Sequence, residues 1–360
     1  MKKLMQWTYF LDILGYGEEQ KSIDTHEKAN TFIEFMKRNK FLIDKQELFD
    51  KHAYKDKIVN IYDYYDFKSV FISDSFVLTA IPKETLFDEE DYYNLSTFVV
   101  MELTFKILIL LEHILTEKGL LIRGGISNKF TDIDEESSLA VGQGLIEAYK
   151  LESKFAEVPR ILLSEEISSD VKIMGSFKEH SEKYGENFSI FSKDRLDNLY
   201  YLDYLGYILS FLHKSENERL DIQNIMEEKY AITEDIITGL NKLVIEEEAE
   251  KLPIKLADFF IENEVSDEDL IKINKMLKES SKILTEIKDD IKNIQSIKYT
   301  TINTLSKLQE VISFNLEKYS TKKDILNKYI WLGDYLNKTI DDFSDIEFIK
   351  QYKIIEILGK

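Results

Sequence analysis

Two aspartates hold the clearest chemistry in this chain. Asp12 stands near the end of an apolar run, Trp7 to Ile13, and Asp74 stands in a polar break, Ser73-Asp74-Ser75, between two runs rich in β-branched and aromatic residues. Carboxylates at strand ends are hard oxygen donors of the kind that Mg²⁺ and Mn²⁺ take, ions that share their other positions with water and substrate phosphates. Two such ions can activate an attacking hydroxyl and neutralise a departing pyrophosphate. The stretch Ile13-Leu14-Gly15-Tyr16-Gly17 follows as a glycine-punctuated turn. Its backbone N–H groups, opening a helix, suit a triphosphate. Either aspartate alone is an ordinary helix cap or turn residue, and only the pair points to metal binding.

The elements that must bring the pair together follow from periodicity. Trp7 to Ile13 reads as a buried strand, and Thr25 to Arg38 as a helix. Ser69 to Ile72 and Phe76 to Ile81 read as two strands around a tight turn at Asp74, closed by Pro82. Asp91 to Lys118 has apolar residues at helical spacing and stops at Gly119, and Leu120 to Ile126 is again strand-like. This β-α-β-β-α-β order is the split unit of ferredoxin-like sheets, in which strands one and three are neighbours, so Asp12 and Asp74 converge. The class is α+β. A polar acidic loop, Asp132 to Ser138, a helix over Gly142 to Phe155, a strand at Arg160 to Leu163 and a strand pair near Phe188 to Phe191 and Leu199 to Tyr201 complete this part.

Beyond Tyr204 the pattern turns to long lysine- and glutamate-rich amphipathic helices, notably Asp267 to Ile294 and Tyr299 to Tyr319, with Glu246 to Glu250 on a solvated face. The expected division is a first domain over 1–204 and a helical domain over 205–360.

Composition narrows the function. With 67 acidic against 47 basic residues and a net charge of -20, a nucleic-acid-binding surface is not expected. The absence of cysteine removes disulfides, thiolate metal sites and cysteine nucleophiles. The five histidines show no metal-like spacing. Lys2 and Lys3 before an apolar stretch imitate a signal peptide, but Gln6 and Asp12 interrupt it; a cytoplasmic protein with no membrane span is expected.

In order along the chain, Phe10-Leu11-Asp12-Ile13-Leu14-Gly15-Tyr16 resembles the first metal motif of class III nucleotide cyclases, Ile72-Ser73-Asp74 their second, and Arg123-Gly124-Gly125-Ile126 their fourth strand. Gly142 to Glu152 resembles the helix that supplies transition-state groups from the partner subunit. The resemblance covers about the first 200 residues and implies a homodimer with shared active sites. It implies two Mg²⁺ or Mn²⁺ ions on Asp12, Asp74 and the Ile13 carbonyl, a nucleoside triphosphate on Ile13 to Gly17, and Lys150 in place of the family's catalytic arginine. The family's ribose-orienting asparagine falls on Ile146, and its purine-reading positions fall near Val70 and Leu139. These departures are similar to a divergent bacterial branch that includes the cyclic-pyrimidine-forming cyclases of anti-phage signalling. They also fit a catalytically degenerate relative that binds a nucleotide or a protein partner. Arg123 is expected to be a structural ion-pair partner.

Overall fold

Alternation of large apolar residues on both sides of one strand requires cover on both faces, and the first long strand meets that requirement. In a computed structural model, which describes residues 1–44, 51–54, 57–182, 189–214 and 281–355, β1 spans Trp7–Leu14 and is buried over most of its length. It is flanked on both sides. The sheet also contains β2 (Tyr65–Ile72), β3 (Ser75–Pro82), β4 (Leu121–Ser127), β5 (Ile161–Leu163), β6 (Phe191–Lys193) and β7 (Tyr200–Leu202), in the spatial order β6-β7-β5-β4-β1-β3-β2. In β4-β1-β3-β2 each strand is antiparallel to its neighbours, and the four have the expected order of a split β-α-β-β-α-β unit. The short strand β5 adds parallel to β4.

Helices α1 (His26–Asp44) and α2 (Glu89–Lys118) pack on each other. Helix α2 begins with the Asp88 side chain accepting from the Asp91 N–H at 2.8 Å and stops at Gly119. Helix α3 (Gln143–Phe155) packs on β4 and β1. Its approach is set by Gly125, where a Cβ would stand 2.3 Å from the Ala148 carbonyl oxygen and 2.7 Å from the Leu151 Cβ. Only glycine lets the helix backbone come this close. Phe10 is the strand partner of Gly125, and its ring meets Tyr149 of α3 edge-on at 5.3 Å, so Phe10, Asp12, Arg123 and Gly125 share the face that α3 covers. The segment expected as an acidic loop contains a small hairpin, Asp132–Asp134 with Leu139–Val141. Helix α4 (Val171–Glu182), which periodicity did not single out, packs on α2, and its Phe177 meets Trp7 of β1 at 6.0 Å.

Among the described residues after 280, the regular elements are helical: α5 (Ser281–Lys318), α6 (Lys323–Asp342) and a 3-10 turn at Glu347–Tyr352. Asn303–Lys360 belongs to one compact unit with Met1–Ile208, while Leu209–Ile302 is a unit of its own. A single boundary at 204 was expected, and the chain instead returns to its first unit. The run Glu246 to Glu250, Phe188, and the expected helix up to residue 280 lie outside the described residues. No helix among those described is long and apolar enough to cross a membrane.

The return is held by two buried aspartates. Asp194 accepts from the Trp331 indole N–H at 2.9 Å and from Arg160 at 2.5 Å. Asp203 accepts from the Tyr335 hydroxyl at 2.7 Å, the Ser192 hydroxyl at 2.8 Å and the Gly206 N–H at 2.9 Å. Burial pushes the Asp203 carboxyl above its ordinary value despite these donors, Tyr335 foremost. Replacing Tyr335 by Phe removes one donor from a buried carboxylate and is expected to cost about 1–3 kcal/mol at neutral pH. A raised folded-state value means that acidification neutralises Asp203 in the folded chain first, so the cost should shrink as pH falls through that value. Urea unfolding of both forms from about pH 8 down to about pH 4 measures this; a loss that shrinks nowhere in that range would contradict it.

Candidate active site

Asp12 is the sixth residue of the interior strand β1, with Ser75 of β3 and Arg123 of β4 as its register partners. Because β2 and β3 pair through Ile72 and Ser75, Ser73 and Asp74 are the two central residues of their turn. Ser73 takes a left-handed φ of 61°, as the primed two-residue hairpin turns require at their first position. A non-glycine residue there stores roughly 1 kcal/mol. The turn is also tied to β1 directly, since the Ile13 N–H donates to the Asp74 carbonyl at 3.1 Å. Tyr16 faces the same gap, where the charge of Asp74 reaches its hydroxyl. Asp12 and Asp74 therefore lie side by side at one end of the sheet, as the register implies, and their charges interact.

The local electrostatics are those of crowded carboxylates. Burial raises the Asp12 carboxyl, Arg123 opposes the rise, and the charge of Asp74 adds to it. Glu152 of α3 is raised in the same way, by burial first and then by Asp12 and Asp74, again against Arg123. Arg123 answers both: its Nε donates to Asp12 Oδ2 at 3.0 Å, and its Nη2 stands 2.6 Å from Glu152 Oε1. A third contact, from Nη1 to the Ala156 carbonyl at 3.4 Å, reaches the end of α3. Arg123 is thus a structural ion-pair partner, as expected, but one of its partners is the foremost metal-ligand candidate. Among the described residues no three or more His, Asp or Glu side chains form a metal cage. A pair of carboxylates that repel each other suits ions whose remaining ligands come from water and phosphate.

The other candidates are placed unevenly. Ile13 is buried and its side chain faces away from Asp12, which leaves its backbone as the only group it can offer there. Leu14 ends β1 and is half-buried. Gly15 adopts a φ of 93° and caps a helix of only five residues, Tyr16–Gln20, so the turn does not lead directly into α1. Glu18 and Glu19 in its first turn add negative charge where an anion was expected. Tyr16 packs edge-on to Phe32 at 5.5 Å, while Gly17 is exposed. Lys150 is exposed on α3, two residues and about 200° of helical rotation from Glu152. Within one chain it points away from the Asp12 cluster. Ile146 is exposed on the same helix, and Leu139 on the small hairpin, whereas Val70 is buried with Phe10, Val77 and Ala148. Val70 faces core, so no base edge is read there.

Two further residues belong to this neighbourhood. Glu152 ends the segment Gly142 to Glu152, and its signal in the sequence is the four-residue spacing Gly144, Ala148, Glu152, the buried stripe of α3. Lys328 on α6 interacts with Asp12 and Arg123, and no local pattern in the sequence reveals that long-range return. Removing Arg123 leaves Asp12 and Glu152 uncompensated. Arg123→Met is expected to destabilise by about 2 kcal/mol, less than the ~3–5 kcal/mol of fully buried pairs because the cluster is partly open to solvent. Arg123→Lys should recover part of this, since one ammonium cannot serve both carboxylates. Urea unfolding checks the order, and a loss under about 0.5 kcal/mol for Arg123→Met would place these ion pairs with weak surface pairs.

No protein-family model matches this chain, and no curated protein matches it. Among solved structures the chain is similar to the adenylyl cyclase CyaB from P. aeruginosa, at 12% identity and a TM-score of 0.31, over 56% of this chain and 94% of that one. A likeness of this strength leaves function to be read from the chain's own residues.

Proposed function

We propose that this chain is a nucleotide cyclase that converts a nucleoside triphosphate to a 3′,5′-cyclic mononucleotide and pyrophosphate, working as a homodimer with shared active sites. The observation that carries this reading is the meeting of Asp12 and Asp74 at one end of a β-α-β-β-α-β sheet, with Ile13 bonded to the Asp74 backbone between them. Asp12, Asp74 and the Ile13 carbonyl would hold two divalent ions, Mg²⁺ or Mn²⁺. When bound, these would ease deprotonation of the ribose 3′-hydroxyl and stabilise the leaving pyrophosphate. The fit rests on the donor set: two hard carboxylate groups set beside each other by the strand register and the Ile13–Asp74 backbone bond.

The chain's own groups divide the remaining work. Arg123 holds Asp12 in a fixed orientation through one oxygen, leaving the other available. The backbone of Gly15 to Gly17 would line the triphosphate, with Gly15 free of a Cβ at its left-handed position. Lys150 would serve the site of a second copy, because it points away from its own. The surface around it suits such a contact: Leu139, Val141, Ile146 and Tyr149 on α3 and the adjoining hairpin, and Phe130 just before that hairpin, are all exposed large hydrophobic residues. A cytoplasmic location follows from the need for nucleoside triphosphates, and a role in anti-phage signalling follows from the branch the motifs resemble.

One observation favours a second reading. A guanidinium already paired with Asp12, together with an apolar Ile146, fits a degenerate cyclase-like protein that binds a nucleotide or a protein without turnover. Incubation with Mn²⁺ and each of the four nucleoside triphosphates separates the two. Cyclic product and pyrophosphate from the wild type, falling by about a hundredfold or more in Asp12→Asn and Asp74→Asn, supports the cyclase. Nucleotide binding without product selects the degenerate form, and unchanged turnover in both variants refutes the metal assignment.

A further inference from the structure

Helix α6 is tied to the end of α3 beside the Asp12 cluster: Trp331 and Arg160 both donate to Asp194, Arg160 also donates to the Phe155 carbonyl, and Arg123 reaches the adjoining Ala156 carbonyl. Lys328 lies three residues before Trp331, one helical turn away on the same face. The position of that turn is fixed on several sides. Trp331 donates to Asp194 at 2.9 Å, Tyr335 donates to Asp203 at 2.7 Å, and both rings stand edge-on to Tyr201 of β7, at 5.7 and 5.5 Å. The next residue, Tyr329, stacks on Tyr319 at the end of α5, with ring planes 9° apart. A lysine on so restrained a helix has its Cα placed before any ligand arrives.

Lys328 is half-buried, and its attraction to Asp12, Asp324 and Glu157 acts across space, without a direct hydrogen bond or ion pair among the described residues. Burial, then the charge of Arg123, lowers its pKa. Partly desolvating an ammonium without a direct partner costs free energy and needs a reason. Balancing Asp12 does not supply it, because Arg123 already does so at 3.0 Å. Arg123 is engaged by Asp12 and Glu152 together, so it has little left for an incoming anion. A compact ammonium with its donors uncommitted is matched to non-bridging phosphate oxygens.

We propose that Lys328 binds the polyphosphate of the nucleotide in cis, so that the C-terminal helix is part of the active site of its own chain. This rests on the nucleotide-binding reading above. The test is calorimetric titration of the full chain, in Mn²⁺, with inorganic tripolyphosphate, alongside the unfolding midpoint of each variant. Lys328→Gln is expected to weaken binding about tenfold or more with its midpoint unchanged, and Lys328→Arg to stay within about threefold of wild type. Wild-type affinity in Lys328→Gln, while Asp12→Asn is weakened, overturns the role of Lys328 and leaves the nucleotide reading standing. A loss in Lys328→Gln matched by Trp331→Phe, with the same fall in midpoint, assigns Lys328 to helix anchoring and also overturns the proposal. Absence of tripolyphosphate binding by the wild type overturns both readings.

Discussion

Carboxylates gathered at one end of a sheet repel one another, and one guanidinium answers that repulsion here. Arg123 extends from β4, bonds Asp12 on the neighbouring β1 and pairs with Glu152 on the helix packed across both. The geometry requires α3 to lie close, and Gly125, two residues along the same strand face, makes the room for it. Two demands thus meet in one short motif, Arg123-Gly124-Gly125: a fork long enough to reach two acids, and a bare backbone that lets a helix settle on the sheet. Orientation of Asp12 follows from the first, and placement of Glu152 from the second.

After residue 302 the chain returns to its first unit, and α6 carries Lys328 to the neighbourhood of this cluster. That helix is held by buried polar anchors, Asp194 with Trp331 and Arg160, and Asp203 with Tyr335, rather than by apolar contact alone. Arg160 also donates to the Phe155 carbonyl at the end of α3. The anchors of α6 and the end of α3 are therefore connected through one side chain, and the acidic cluster sits beside that connection. Polar networks of this kind fix a single arrangement more strictly than hydrophobic packing does.

The parts of this arrangement set by local pattern were readable from the sequence. The apolar run Trp7 to Ile13, the helical spacing up to Lys118 with its stop at Gly119, and the polar break at Asp74 between β-branched runs gave β1, α2 and the hairpin, and with them the β4-β1-β3-β2 order. Strand β2 is longer than read because Tyr65 and Phe67, inside an aromatic stretch without clean alternation, continue it. Within the site, the neighbourhood of Asp12 and Asp74 followed from register, whereas the engagement of Asp12 by Arg123 needed a side-chain reach that spacing does not encode. Lys328 lay further beyond reach. Its place depends on Trp331 and Tyr335 finding Asp194 and Asp203 more than a hundred residues earlier, contacts that no local period reveals. Helix α4 was missed for a different reason: Val171 to Glu182 mixes polar residues such as Ser176 and His180 into its buried face, which blurs the apolar stripe.

For this chemistry to operate, Asp12 and Asp74 must grip cations jointly. Crystals of the full chain grown with Mn²⁺ and a non-reacting triphosphate analogue, examined for anomalous scattering from manganese, address this without reference to turnover. Manganese density touching carboxylate oxygens of both aspartates, lost when either is replaced by Asn, is the predicted result. Manganese found elsewhere, or at neither carboxylate while the analogue is bound, would contradict the account.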